Sequence, residues 1–221
     1  KFKENTLSIY FSDHGDFMGS HNVFQRKEYP HEESVRIPAI FHWPTQIPAR
    51  GKTPEFWSLV DLLPTTLGLA GAEVPGYLQG RDYSPLLRGE AFEAPEDVLL
   101  EMQGNPRWGL DLLDWRGLVN DRWKYAFLET GHELLFDLEN DPFEQSNVAA
   151  DNPEICTALR ARLLKLLADA REPYFDVLIE NGAKPLTPVR DVSPSGASVL
   201  VPCATKLSPA WNDMIERAPD A

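Results

Sequence analysis

The chain has 221 residues, enough for one or two domains with a core of ordinary size, and 43% of them are hydrophobic. Its formal charge of −13 argues against binding nucleic acid or another polyanion over the surface as a whole, so an anionic ligand would need a local cationic trap. No run of about eighteen apolar residues predicts a transmembrane helix, and Lys1-Phe2-Lys3-Glu4-Asn5 leads into no apolar stretch of the signal-peptide kind, which leaves localisation open.

In chain order, Thr6 to Phe11 is rich in β-branched and aromatic residues and predicts a short buried strand, of the kind found in parallel sheets covered on both faces. Ser12-Asp13-His14-Gly15 follows directly. Ligands of open α/β sheets lie beyond the carboxyl ends of strands, where Asp13 and His14 would emerge. A hard carboxylate oxygen beside a borderline imidazole nitrogen suits a divalent metal without fixing which one. Gly15 and Gly19 allow sharp turns and close backbone approach. Pro38 to Trp43 predicts a second strand, closed by Pro44 and the loop Gln46 to Pro54. Asp61 is placed to cap a short helix that Gly71 ends, with Pro64 tolerated in its first turn.

The polar connector Ala72 to Pro95 marks a boundary. Beyond it, Val98–Met102, Arg116–Val119, Trp123–Phe127 and Glu133–Asp137 predict short strands of an antiparallel sheet. Asn152-Pro153-Glu154 opens a helix with Ile155, Leu159, Leu163, Leu166 and Leu167 on one face, expected to cover one side of that sheet. From Asn181 onward the chain is rich in Pro, Ser and Gly and predicts a poorly structured or peripherally packed tail. Cys156 and Cys203, with 46 residues between them, specify neither a disulfide nor a zinc site.

A longer string gives the Asp-His pair its meaning. A strand ending in Ser12-Asp13-His14-Gly15, then Gly19-Ser20-His21, Lys27, and Glu32-Glu33-Ser34-Val35-Arg36-Ile37-Pro38 opening a second strand resembles the sulfatase family. The resemblance continues through Ser58 to Gly71 and, in Asp121-Arg122-Trp123-Lys124-Tyr125 and Glu133 to Pro142, through the family's small C-terminal domain. It covers about residues 5 to 172. The family's Cys/Ser-x-Pro-x-Arg motif, whose Cys or Ser becomes formylglycine, does not occur; the nearest match, Leu186-Thr187-Pro188-Val189-Arg190, has Leu at the nucleophile position. The chain therefore looks like the C-terminal part of a sulfatase, with the nucleophile and the first metal-binding Asp pair in an N-terminal half that is not present.

The implied fold is α/β. Residues 1–90 would form the C-terminal part of an alkaline-phosphatase-like mixed sheet sandwiched by helices, residues 91–172 a small α+β domain with an antiparallel sheet and a helix, and residues 173–221 an irregular tail. The resemblance implies Asp13 and His14 as ligands of a divalent cation, calcium in most of the family, and Lys27 as a catalytic and sulfate-binding cation. His21, in the family's Gly-x-His, would contact substrate or hold the loop. One extra residue between His21 and Lys27 lets Arg26 share the anion contact. The expected partners are a sugar or aryl sulfate ester and the missing N-terminal part.

Related phosphodiesterases and phosphonate monoester hydrolases share the Asp-His pair and much of the Glu-Glu-Ser region, so they remain the alternative, as does a non-catalytic truncated product. Adjacent Glu32 and Glu33 are no glycosidase pair; they are expected to anchor the loop, Glu33 reaching Arg36 across one turn. Trp108 to Trp115, with Asp111 and Asp114, is expected to be a substrate-facing loop.

Overall fold

The structure is a computed structural model that describes residues 2–24, 27–49, 51–103 and 114–172. The predicted tail and most of the Trp108 to Trp115 stretch lie outside the described residues, while Trp115 itself is buried in a strand.

The first strand, β1 (Ser8–Phe11), pairs with β2 (Ala39–His42), Ser8 opposite His42 and Phe11 opposite Ala39. The pairing is antiparallel, and Tyr10 and Ile40 remain 63% and 57% exposed, which corrects the expectation of a buried strand in a parallel setting. Apolar composition reports that a strand prefers cover; it carries no information on which partner supplies it or in which direction that partner runs. Among the described residues the first sheet is this two-stranded ribbon.

Residues 12–38 make a long excursion between the two strands. It contains a 3₁₀ turn, Ser20–Asn22, and a single helical turn, α1 (Glu32–Val35). After β2, the turn Leu59–Asp61 runs into α2 (Leu62–Leu69). Asp61 was expected to cap α2, yet its carboxylate faces backwards, accepting the Ser58 N–H at 2.8 Å and the Arg81 N–H at 2.7 Å. The added 3₁₀ turn moves the cap upstream to Ser58, which forms a capping box with Asp61. Gly71 ends α2 as expected, at a left-handed φ of +69°. The connector holds a helix that composition concealed, α3 (Ser84–Arg88), whose Arg88 guanidinium donates to the Gly68 and Leu69 carbonyls at 3.1 Å each.

The four remaining strands, β3 (Val98–Met102), β4 (Trp115–Val119), β5 (Trp123–Leu128) and β6 (Glu133–Asp137), form one antiparallel sheet in sequence order. Their period of two sorts the side chains between two faces. Leu118, Tyr125, Phe127 and Leu135 meet Cys156, Leu159, Leu163 and Leu167 of α4 (Pro153–Ala170), so the predicted helix covers one side of the sheet as its spacing indicated. Trp115, Ala126 and Leu128 occupy the opposite face, where Val35 of α1 packs against them. The excursion between β1 and β2 is therefore seated on the second sheet.

Candidate active site

At the end of β1 the chain turns on its own polar groups. Ser12 Oγ donates to the His14 carbonyl at 2.6 Å, and the His14 N–H donates to Asp13 Oδ1 at 3.0 Å. His14 Nδ1 lies 2.7 Å from the Gly15 carbonyl. A carbonyl only accepts, so Nδ1 carries the proton and Nε2 presents a lone pair. That lone pair accepts from Lys27 Nζ at 2.9 Å, and Asp13 Oδ2 stands 3.4 Å from the same nitrogen. Residues thirteen positions apart thus meet at one point, beside an Asp13 side chain that is 81% exposed. Hydrogen bonding at its own backbone, with lesser help from the His14 N–H and the Lys27 ammonium, holds the Asp13 carboxyl below the usual carboxylate range against the opposing effect of burial.

The close approach that brings these groups together depends on Gly15. Its N–H donates to the Ser34 carbonyl at 2.8 Å, and a Cβ built there would fall 1.9 Å from the Glu33 carbonyl oxygen. Gly19 has φ +105°, a region favoured by glycine. Its neighbours are less usual: Met18, His21 and Asn22 all have left-handed φ, at 46°, 52° and 59°. Non-glycine residues stay in that region when surrounding contacts over-determine them.

Glu33 supplies such contacts. It accepts a hydrogen bond from Ser20 Oγ and lies 3.3 Å from His21 Nε2, whose side chain is only 3% exposed. Burial alone would raise the Glu33 carboxyl, but the His21 and Ser20 bonds outweigh it and hold it at about 2. The His21 ring also packs 4.6 Å from His31 and 5.7 Å from Phe17. His31 touches Phe136 of β6 at 5.1 Å, and burial followed by the nearby His21 pushes its imidazole down to about 3. Glu33 does not reach Arg36 as expected. That partner is Glu32, at 3.5 Å and four residues away, because Glu33 is turned towards His21.

Asp13, His14 and Lys27 were legible in the sequence and stand together. Arg26 lies outside the described residues. Sequence reasoning assigned no role to His31, Ser34, Lys124 of the second sheet or Glu144 of the turn after β6. Two of these carried a signal: Ser34 within the Glu32-Glu33-Ser34 string, and Lys124 as a lysine inside the aromatic strand Trp123-Lys124-Tyr125-Ala126-Phe127. The donor set fits one side of a divalent-cation site: a solvent-facing carboxylate and a neutral imidazole whose tautomer is fixed by a backbone carbonyl. No group of three or more His, Cys, Asp or Glu placed to hold a metal occurs among the described residues.

Residues 19–172 match the family described as N-sulphoglucosamine sulphohydrolase, C-terminal, and the chain belongs to this sulfatase C-terminal family. It is 31% identical over 177 residues to an ulvan-active sulfatase of Formosa agariphila, a match covering 77% of this chain and 34% of that protein. A crystal structure from Bacteroides thetaiotaomicron assigned as a sulfatase matches with a TM-score of 0.71 and 29% identity, covering 78% of this chain and 38% of the other. The phosphonate monoester hydrolase of Agrobacterium radiobacter matches with a TM-score of 0.65 and 26% identity, over 75% of this chain and 35% of that one. The chain thus spans about a third of the length of the curated relatives it matches.

Proposed function

We propose that this chain forms the metal- and sulfate-binding C-terminal portion of a sulfatase that hydrolyses sulfate monoesters of sugars or aryl alcohols. The observation that carries the reading is the convergence of Asp13, His14 and Lys27, with Lys27 Nζ 2.9 Å from His14 Nε2. Asp13 and His14 would hold a divalent cation, calcium by family resemblance, from one side. When bound, such a cation supplies Lewis acidity at a sulfate oxygen. The Lys27 ammonium binds the sulfate and offsets the negative charge that grows as the S–O bond breaks. By the family resemblance, Arg26 would share that anion contact. His21, buried against Glu33, positions the loop from within, which favours its holding role over direct contact with substrate. The nucleophile, formylglycine in the family, would come from residues outside these 221.

Hydrolysis of phosphonate monoesters is the second reading, favoured by the likeness to the Agrobacterium enzyme. A substrate panel on the complete enzyme separates the two. p-Nitrophenyl sulfate is expected to be the better substrate, and a preference for a phenylphosphonate ester would select the alternative. Lys27→Ala is expected to lower kcat about a hundredfold, as for loss of one preorganised electrostatic contact, and Arg26→Ala to lower it less. Asp13→Ala is expected to lower bound divalent metal, read by elemental analysis, and unchanged metal content would refute the ligand assignment. The 221-residue chain by itself is expected to have no sulfatase turnover, since no Cys or Ser in it stands before x-Pro-x-Arg.

A further inference from the structure

The two adjacent carboxylates of α1 diverge. Glu33 turns to Ser20 and His21, whereas Glu32 turns to the second sheet, where its Oε1 accepts from Lys124 Nζ at 2.6 Å. The Glu32 backbone N–H donates to Glu144 Oε2, also at 2.6 Å. Lys124 closes the triangle as an ion pair, its Nζ 2.6 Å from Glu144 Oε1, and the side chains of both are fully buried, at 0% exposure. Lys124 projects from β5 on the face opposite α4, and Glu144 comes from the turn after β6. Two further bonds act on the same stretch of backbone. The Trp115 indole N–H of β4 donates to the Glu28 carbonyl at 2.7 Å, and Ser34 Oγ donates to the Lys27 carbonyl itself.

We propose that Lys124 and Glu144 are positioning residues for Lys27, the buried ion cluster fixing the loop that presents the Lys27 ammonium at the anion site. Burying one ammonium between two carboxylates is a poor route to stability, because desolvation consumes most of the attraction. It is an effective way to set geometry. An apolar contact such as Val35 on the sheet restrains distance only, while these bonds grip Glu32 at its side chain and its backbone together. Ser34, two residues along the same helical turn, passes that orientation to Lys27.

This inference rests on the proposed role of Lys27, and two measurements keep the two ideas separable. In the complete enzyme, Lys124→Met is expected to lower kcat about tenfold with a smaller change in KM, as for a misplaced catalytic group. In a Lys27→Ala background the same substitution is expected to cost less than about twofold, since a residue that acts through Lys27 has nothing left to position. Losses that multiply independently would overturn the proposal.

The second measurement needs no turnover. In the 221-residue chain, Lys124→Met is expected to speed hydrogen exchange at the Ser34, Val35 and Arg36 amides about tenfold or more, while Leu118, Phe127 and Leu163 change less than about twofold. Acceleration of both sets together, or of neither, would overturn the positioning role. Where Lys124→Met does not fold, Glu144→Gln keeps the shape and a side-chain oxygen and is read by the same criterion. A complete enzyme that turns over no sulfate ester would refute the proposed function, and exchange would still decide how the loop is held.

Discussion

Gly15 has no room for a side chain, because the Glu33 carbonyl oxygen occupies the position that a Cβ would take. Gly15→Ala is therefore expected to force β1 and α1 apart and to destabilise the chain by about 1–3 kcal/mol, the range for overpacking, measurable by urea denaturation. Two neighbouring groups make the same region sensitive to acid. His31 is held at about 3 against an ordinary 6.5, and Glu33 at about 2 against 4.5. Both shifts are downward, so the unfolded chain binds these protons first. Each contribution to stability is complete above the ordinary value and is lost as pH falls towards the folded value: from 6.5 to 3 for His31, from 4.5 to 2 for Glu33. His31→Phe, in a site lined by Phe17, Tyr29 and Phe136, is expected to flatten the fall in Tm between pH 6.5 and 4.5; parallel curves for the two proteins would contradict this account. Asp13, His14 and Lys27 could be read from the sequence because they belong to one ordered local string. His31 and Glu33 could not, since their states depend on a loop folding back on itself and on Phe136 from a strand about a hundred residues away.

Among the elements, those whose residues repeat at a fixed period were the legible ones. The helix covering the second sheet was expected from Leu159, Leu163 and Leu167, and all three are buried at that interface. Leu163, with 0% exposure, is expected to cost about 2–5 kcal/mol when replaced by Ala, checked by the shift in the urea midpoint. The strands β3 to β6 alternate in the same readable way, and β6 falls at its predicted bounds. Where partner choice decides the outcome, the sequence was mute. Nothing in Thr6 to Phe11 indicates that its neighbour runs antiparallel to it. The helix α3 hid in a connector rich in Gly and Pro, although Ser84-Pro85 places a proline in its first turn, where a helix tolerates it. Glu32 and Glu33 look equivalent on paper, and only the packing of α1 against the sheet sends one to Lys124 and the other to His21.

Across the whole molecule the apolar surface is distributed unevenly. Tyr10, Ile40, Val60 and Leu63 are exposed in the first unit, whereas the β3 to β6 sheet and its helix enclose a continuous core. Limited proteolysis is accordingly expected to leave a resistant fragment of about residues 96–172, and residues 1–90 expressed alone are expected to scatter light as aggregates. The Lys124 bond to Glu32 spans 92 positions of the chain. On a ribosome adding about 5–20 residues per second, the loop bearing Lys27 emerges roughly 5–20 s before its anchoring strand exists. A premature stop ahead of β5 would leave Asp13, His14 and Lys27 all encoded, without the Lys124 and Glu144 ion cluster. Substitutions in β5 or in the turn after β6 are then expected to behave as defects of the candidate site, although they lie far from Asp13, His14 and Lys27 in sequence.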